Sequence, residues 1–273
     1  MGCGSESQVD DQERKVQERM ASVKQVIVVM SGKGGVGKSS VAVNLAYALA
    51  ALGKAVGLLD TDLHGPNVAK MLGIEDKTVE QFGSDIIPVS VTPQLKVISM
   101  ALLGKDADTP FIWRGPMKAA VIRQFLGDVD WGVLDYLVVD SPPGTGDEPL
   151  SVCQLLPKIS KAVIVTTPQD VAVLDARKSI MFARELNIPV LGVIENMSGL
   201  ICPHCRTRID LFKQGGGEKA AKEMGVSFLG RIPFDPDLVD LGDKGRPFIE
   251  SKKSSAAAFA FEEIVQKVED LCK

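Results

Sequence analysis

Residues 25–39 read QVIVVMSGKGGVGKS, and this stretch decides the fold. Its first six residues carry no charge and are mostly β-branched, the composition of a strand buried on both faces of a parallel sheet. Four glycines follow at Gly32, Gly34, Gly35 and Gly37, and then a helix-forming run, SSVAVNLAYALAALG. Strand, glycine-rich turn and helix in that order is the setting in which G-x-x-x-x-G-K-[ST], met here by residues 32–39, marks a phosphate-binding loop.

Without Cβ atoms in the way, the backbone N–H groups of this loop can turn toward phosphate oxygens, and the following helix adds the partial positive charge of its N-terminus. The expected nucleotide-binding set is Gly32, Lys33, Gly34, Gly35, Val36, Gly37, Lys38, Ser39 and Ser40. Lys38 would reach the β- and γ-phosphates of ATP and Ser39 a Mg2+ ion. The bland alternative is a glycine-rich turn that binds nothing.

A phosphate loop also predicts an acidic residue at the end of a neighbouring buried strand. Asp140, closing YLVVD, fits a metal-side aspartate, and the turn-rich SPPGTGD after the strand suits a switch that senses the γ-phosphate. LLDTDLHGPN offers Asp60 and Asp62 for orienting the attacking water; Asp62, further out on the loop, is preferred, with helix capping as the alternative for both. Lys33 stands five positions ahead of Lys38. A second cation on the loop's outer limb can serve a facing subunit, as arginine fingers do, or simply be solvated.

Outward from the loop, apolar runs alternate with helix-length segments. Strands are expected at QVIVVM, AVGLLD, YLVVD, KAVIVTT and PVLGVIEN, with helices near 38–52, 116–127, 147–156 and 170–186. That alternation predicts an α/β fold, a doubly wound and mostly parallel sheet with helices on both faces. Residues 1–24 read as a polar tail with a short helix, and 25–273 as one domain. Residues 73–115 break the rhythm and read as an insertion on the sheet's edge, and SSAAAFAFEEIVQKVEDL, 254–271, as a terminal helix packed on the body.

The 273 residues carry a net charge of -4, without the basic excess of a nucleic-acid footprint, so no nucleic acid is expected as a partner. No run approaches the roughly 18 apolar residues of a membrane span, and MGCGSESQVDDQERK lacks the apolar core of a signal peptide. A soluble, cytoplasmic protein without a membrane partner is the expectation.

Of five cysteines, only Cys202 and Cys205, in ICPHCRTRID, are paired at a spacing with chemical meaning. Two thiols three positions apart can face one metal centre but make half of a four-ligand shell. A symmetric homodimer would bring the other half. Zinc and iron–sulfur are both compatible with thiolate ligands, and a thioredoxin-like redox pair is a third reading, although the strand order does not match that fold. Cys153 reads as a buried apolar residue.

KGGVGKS resembles the deviant phosphate loop of the MinD, ParA, arsenical-pump ATPase and nitrogenase iron protein class, whose extra lysine acts across a nucleotide-sandwich dimer. Within that class, DTDLHGPN, WRGP, DSPPGTGD, ENMS and CPHC are similar to the Mrp/ApbC-type iron–sulfur cluster carriers, over nearly the whole chain from residue 25. The resemblance implies that Lys33 acts in trans, that Asp62 sits in the first switch and Asp140 on the metal side, and that Asn196 lies beside the adenine. It further implies a [4Fe-4S] cluster bridging the dimer through Cys202 and Cys205, delivered to apo iron–sulfur client proteins. Slow ATP hydrolysis would then couple the segments at 60–67 and 140–147 to the loop at 199–206. A MinD- or ParA-like positioning ATPase is the rival, and it leaves CPHC without a role. A reductase like the nitrogenase iron protein takes its ligands from separated single cysteines, unlike the close pair here.

Overall fold

The computed structural model describes residues 3–63, 65–103, 115–202, 204–205, 207–251 and 254–273, with the backbone alone at 3–11 and 115–116. His64, Trp113 and Arg114 of WRGP, and Pro203 lie outside the described residues.

In chain order the elements are α1 (Cys3–Met20), β1 (Val23–Met30), α2 (Lys38–Ala51), β2 (Val56–Asp60), α3 (Val68–Met71), β3 (Glu80–Phe82), β4 (Asp85–Ile87), β5 (Val89–Thr92), β6 (Leu95–Ile98) and α4 (Gly115–Gly127). The second half adds β7 (Leu134–Asp140), α5 (Asp147–Leu155), β8 (Ser160–Thr166), α6 (Asp170–Glu185), β9 (Val190–Glu195), β10 (Leu200–Ile201) and β11 (Arg208–Ile209). It closes with α7 (Gly216–Glu223), β12 (Phe228–Arg231), α8 (Pro236–Asp243), α9 (Phe248–Ser251) and α10 (Ala256–Cys272).

Eight strands form one sheet in the order β12-β9-β8-β1-β7-β2-β6-β5, parallel throughout except for the antiparallel edge strand β5. The alternating side chains of β1 show why its sequence is apolar without interruption. Ile27 and Val29 enter the core beneath α2 and α10, while Val26, Val28 and Met30 enter the core on the opposite face. A strand covered on both sides has no polar face to display.

The expected helices stand within a residue or two of their places, as do the five expected strands. Within residues 73–115, β6 pairs parallel with β2 and β5 folds back along it, so this segment supplies that edge of the main sheet. Two features differ from the sequence reading. β12 is absent from it: a four-residue edge strand with one fully buried position. The N-terminal segment is an 18-residue helix with Met20 buried in the core. Arg19 pairs with Asp85 at 2.5 Å and Asp130 at 3.6 Å, which ties the helix end to the body.

Candidate functional site

Parallel strands release their C-terminal ends along one edge, and the crevice there is where such sheets bind ligands. β1 runs into the glycine loop, while β7, its neighbour, ends in Asp140, opposite Val29 of β1 and Asp60 of β2. The register alone therefore sets two carboxylates side by side under the loop.

A cavity of about 230 Å3 is lined by Lys33, Gly34, Gly35, Gly37, Lys38, Ser39 and Ser40 of the loop, with Asp62 and Pro143 opposite. Most of the expected nucleotide set thus meets in one place. Gly32 and Val36 are not among the lining residues. An added Cβ on Gly32 would come 2.2 Å from the Asp175 carbonyl oxygen, so this glycine permits close packing against α6. Val36 turns its side chain into the core.

Gly37 sits at φ +80°, and a Cβ there would lie 2.3 Å from Nδ2 of Asn196. That amide donates to the Val36 carbonyl at 2.8 Å, pinning the end of β9 against the loop. Asn196 lines a second cavity, of about 200 Å3, which shares Gly37, Ser40, Asn67 and Met71 with the first. Met197, Pro233, Phe234, Asp235, Arg246 and Phe248 complete much of its wall. A polar, glycine-lined space opening into a more apolar one has the shape needed for a phosphate chain followed by a base. Of this wall the sequence reading names Gly37, Ser40 and Asn196. Pro233, Phe234, Asp235, Arg246 and Phe248 lie far along the chain, with no motif to mark them.

Lys38 and Asp140 form a buried ion pair, Nζ to Oδ1 at 2.5 Å, and Lys38 also lies 3.3 Å from Ser39 Oγ. Burial raises the Asp140 carboxyl above its ordinary range, and Lys38 opposes that rise. Its second oxygen, Oδ2, is buried without a hydrogen-bond partner, the donor set that a hard cation seeks. Ser39 and Asp140 therefore fit a Mg2+ ion. Asp60, raised to about 8 by burial and then by the charge of Asp140, accepts from Ser99 Oγ at 3.0 Å and from the Asp62 N–H at 3.1 Å. Asp60 is thus a buried support for the loop that carries Asp62, a part that sequence reading did not assign.

The cysteine pair sits apart from this cavity, at the end of the β10–β11 hairpin. Cys202 N–H donates to the Thr207 carbonyl at 2.9 Å. Cys205 is exposed and Cys202 half-buried, with His204 exposed between them. Hydrogen bonds from the Thr207 side chain and backbone, and then from Cys202, lower the Cys205 thiol to about 7. A large thiolate fraction at neutral pH makes it a ready metal ligand. Cys153, by contrast, is pushed up to about 12 by burial, and burial also raises Cys272. Among the described residues no group of three or more His, Cys, Asp or Glu is placed to hold a metal, so the two thiols stand as a pair.

The family profile described as "ParA: NUBPL iron-transfer P-loop NTPase" matches residues 22–269. The chain belongs to this family. An iron-sulfur cluster carrier protein of Methanocaldococcus jannaschii is 53% identical over 260 residues, covering 94% of this chain and 90% of the relative. The cytosolic Fe-S cluster assembly factor CFD1 of Kluyveromyces lactis is 48% identical, covering 92% of each chain. Among solved structures, a nucleotide-binding protein of Archaeoglobus fulgidus, in complex with ADP and with cobalt found in it, superposes with a TM-score of 0.78 at 39% identity, covering 91% of this chain and 96% of that one. MinD of Pyrococcus horikoshii with Mg-ADP gives a TM-score of 0.69 at 24% identity, a likeness of fold alone. Among the described residues, no helix of this family member is long and apolar enough to cross a membrane.

Proposed function

We propose that this chain is an ATP-dependent iron–sulfur cluster carrier that acts as a homodimer in the cytoplasm. Two copies each supply Cys202 and Cys205, and the four thiolates hold a [4Fe-4S] cluster that is passed to apo iron–sulfur proteins. The observation that carries the reading is a pair of free cysteines, Cys202 half-buried and Cys205 exposed, on a hairpin in a chain that also builds a phosphate-loop cavity and belongs to an iron-transfer family. A half-complete shell at the surface both requires a second copy and leaves the cargo accessible for transfer.

ATP would lie with its phosphates against Gly34–Ser40 and its base in the cavity by Asn196. Ser39 and Asp140 would hold a Mg2+ ion, which would supply charge neutralisation for the phosphates. Lys38 binds the phosphate chain, Asp62 orients the attacking water, and Lys33 reaches across to the nucleotide of the other copy. Zinc is the alternative occupant of the thiols, because ligand type alone does not separate the two.

Anaerobic reconstitution with iron and sulfide tests this. About four Fe per dimer are expected in the parent. The Cys202→Ala/Cys205→Ala variant should hold none, and a parent that stays monomeric while binding iron would overturn the shared-shell reading.

A further inference from the structure

The end of β9 lies between the phosphate loop and the segment that leads to the cysteine hairpin. Asn196 grips the phosphate loop, and its predecessor, Glu195, is fully buried and surrounded by donors. Glu195 Oε1 accepts from Ser198 Oγ at 2.5 Å and from the Gly215 N–H at 3.0 Å, and Oε2 accepts from the Gly217 N–H at 2.6 Å. Arg231 Nε stands 3.4 Å from Oε1. One carboxylate thus fixes the N-terminus of α7 and the residue three positions along its own chain. From Ser198 the chain continues through Gly199 into the hairpin.

A second strip runs alongside. Ile232 N–H donates to the Glu195 carbonyl at 2.9 Å, Ser198 N–H to the Ile232 carbonyl at 2.9 Å, and Phe234 N–H to the Gly199 carbonyl at 2.7 Å. Leu200 then bridges to Phe234. Pro233, Phe234 and Asp235, on this same strip, line the base-shaped cavity together with Asn196 and Met197. Wall and hairpin base are therefore one hydrogen-bonded ladder, and Cys202 lies two residues beyond its last rung. Met197, at φ +56°, shows that the backbone is bent into an uncommon conformation at the crossing point.

We propose that Glu195 is a positioning residue for the thiols, coupling occupancy of the base cavity to the accessibility of Cys205 through Ser198 and the 232–234 strip. The inference rests on the nucleotide and thiol sites proposed above, and it names the base end of the nucleotide as the source of the signal. A base packed against Pro233 and Phe234 stiffens the strip, the strip holds Gly199 and Leu200, and Glu195 keeps Ser198 from giving way. ADP, which carries the base, should transmit the signal, and Mg-pyrophosphate, which fills only the phosphate loop, should not.

The test is the rate at which iodoacetamide alkylates Cys205 in the full-length, cluster-free chain, read by mass spectrometry of the Cys205 peptide. ADP is expected to slow the parent rate about fivefold, the low end of ordinary coupling between sites. Mg-pyrophosphate should leave it unchanged. Ser198→Ala, which removes the hydroxyl's bond to Glu195 but no backbone rung and no cavity wall, should bind ADP with parent affinity yet show no ADP effect. Amide exchange at residues 200–202 of the parent makes the same decision without a substitution, slowing with ADP and not with Mg-pyrophosphate. The proposal is overturned if Mg-pyrophosphate alone protects Cys205, if ADP changes nothing, or if Ser198→Ala keeps the full effect. A chain that shows the ADP effect but takes up no iron keeps this inference and loses the carrier reading. One that holds iron without an ADP effect does the reverse.

Discussion

Replacing Lys38 with Met removes the cation from a pair whose side chains are 6% and 1% exposed and 2.5 Å apart. Asp140 then has two courses. It can remain ionised in the core without a counter-ion, which costs about 3–5 kcal/mol. Alternatively it takes up a proton; from an unfolded value near 3.9 to pH 7 is about three units at about 1.4 kcal/mol each, roughly 4 kcal/mol. Both routes give a similar figure, and burial already raises Asp140 in the parent, so urea unfolding followed by circular dichroism should show Lys38→Met less stable by at most about 4 kcal/mol at pH 7. The pH dependence separates pair from packing. In the variant the folded value of Asp140 lies above the unfolded one, so its protonated form contributes stability that is lost as pH rises, and the deficit shrinks as pH falls. At pH 5.5 the difference from the parent should be roughly 2 kcal/mol. Lys38→Met/Asp140→Asn should regain most of the loss, because no charge is left to strand. A deficit below about 1 kcal/mol at pH 7, the size of an exposed pair, or one that does not change with pH, would refute the buried-charge reasoning.

Gly37→Ala places a side chain at φ +80°, at a cost of about 1–2 kcal/mol, and drives a methyl into Asn196 Nδ2; calorimetry should show ADP affinity reduced by about tenfold or more. Lys33→Ala should bind ATP normally and hydrolyse it about a thousandfold more slowly, and an unchanged rate removes the across-subunit role. Asp62→Asn should likewise bind ATP and lose hydrolysis by about a hundredfold. Arg19 holds the Asp85 carboxyl below its ordinary value, so this pair contributes stability above pH 4 that fades as pH falls through the lowered value. Arg19→Ala should therefore expose residues 12–20 to protease at pH 7, and much less difference from the parent should remain under acid.

The centre of this fold is legible in the sequence because both faces of its central strands are covered. QVIVVM and YLVVD carry no polar face, and the glycine loop between strand and helix names the ligand class. What the sequence withholds is register and distant contact. Nothing in LLD and LVVD says that Asp60 and Asp140 end opposite each other, yet burial, and after it the charge of Asp140, raises Asp60, which serves as a buried support for Asp62. β12 hides because an edge strand of four residues, FLGR, buries only one side chain fully and has no alternation to betray it. The cavity wall at Pro233, Phe234 and Arg246 comes from elements that follow the last motif, and only folding brings them over the loop.

Glu195 shows the same limit at the scale of one side chain. In the sequence it is an acidic residue at the end of an apolar strand, indistinguishable from a solvated cap. In the fold it meets two backbone N–H groups and a hydroxyl, donors all, and the Gly217 N–H reaches it at 2.6 Å. Only an acceptor on both branches satisfies that set, so glutamine, equal in size, would turn an NH2 toward an N–H at one branch and leave a buried donor unpaired. The chemistry of the position is thus dictated by groups contributed from α7 and from the hairpin's own base. That is why a buried charge is retained where the chain leaves the nucleotide cavity for the thiols.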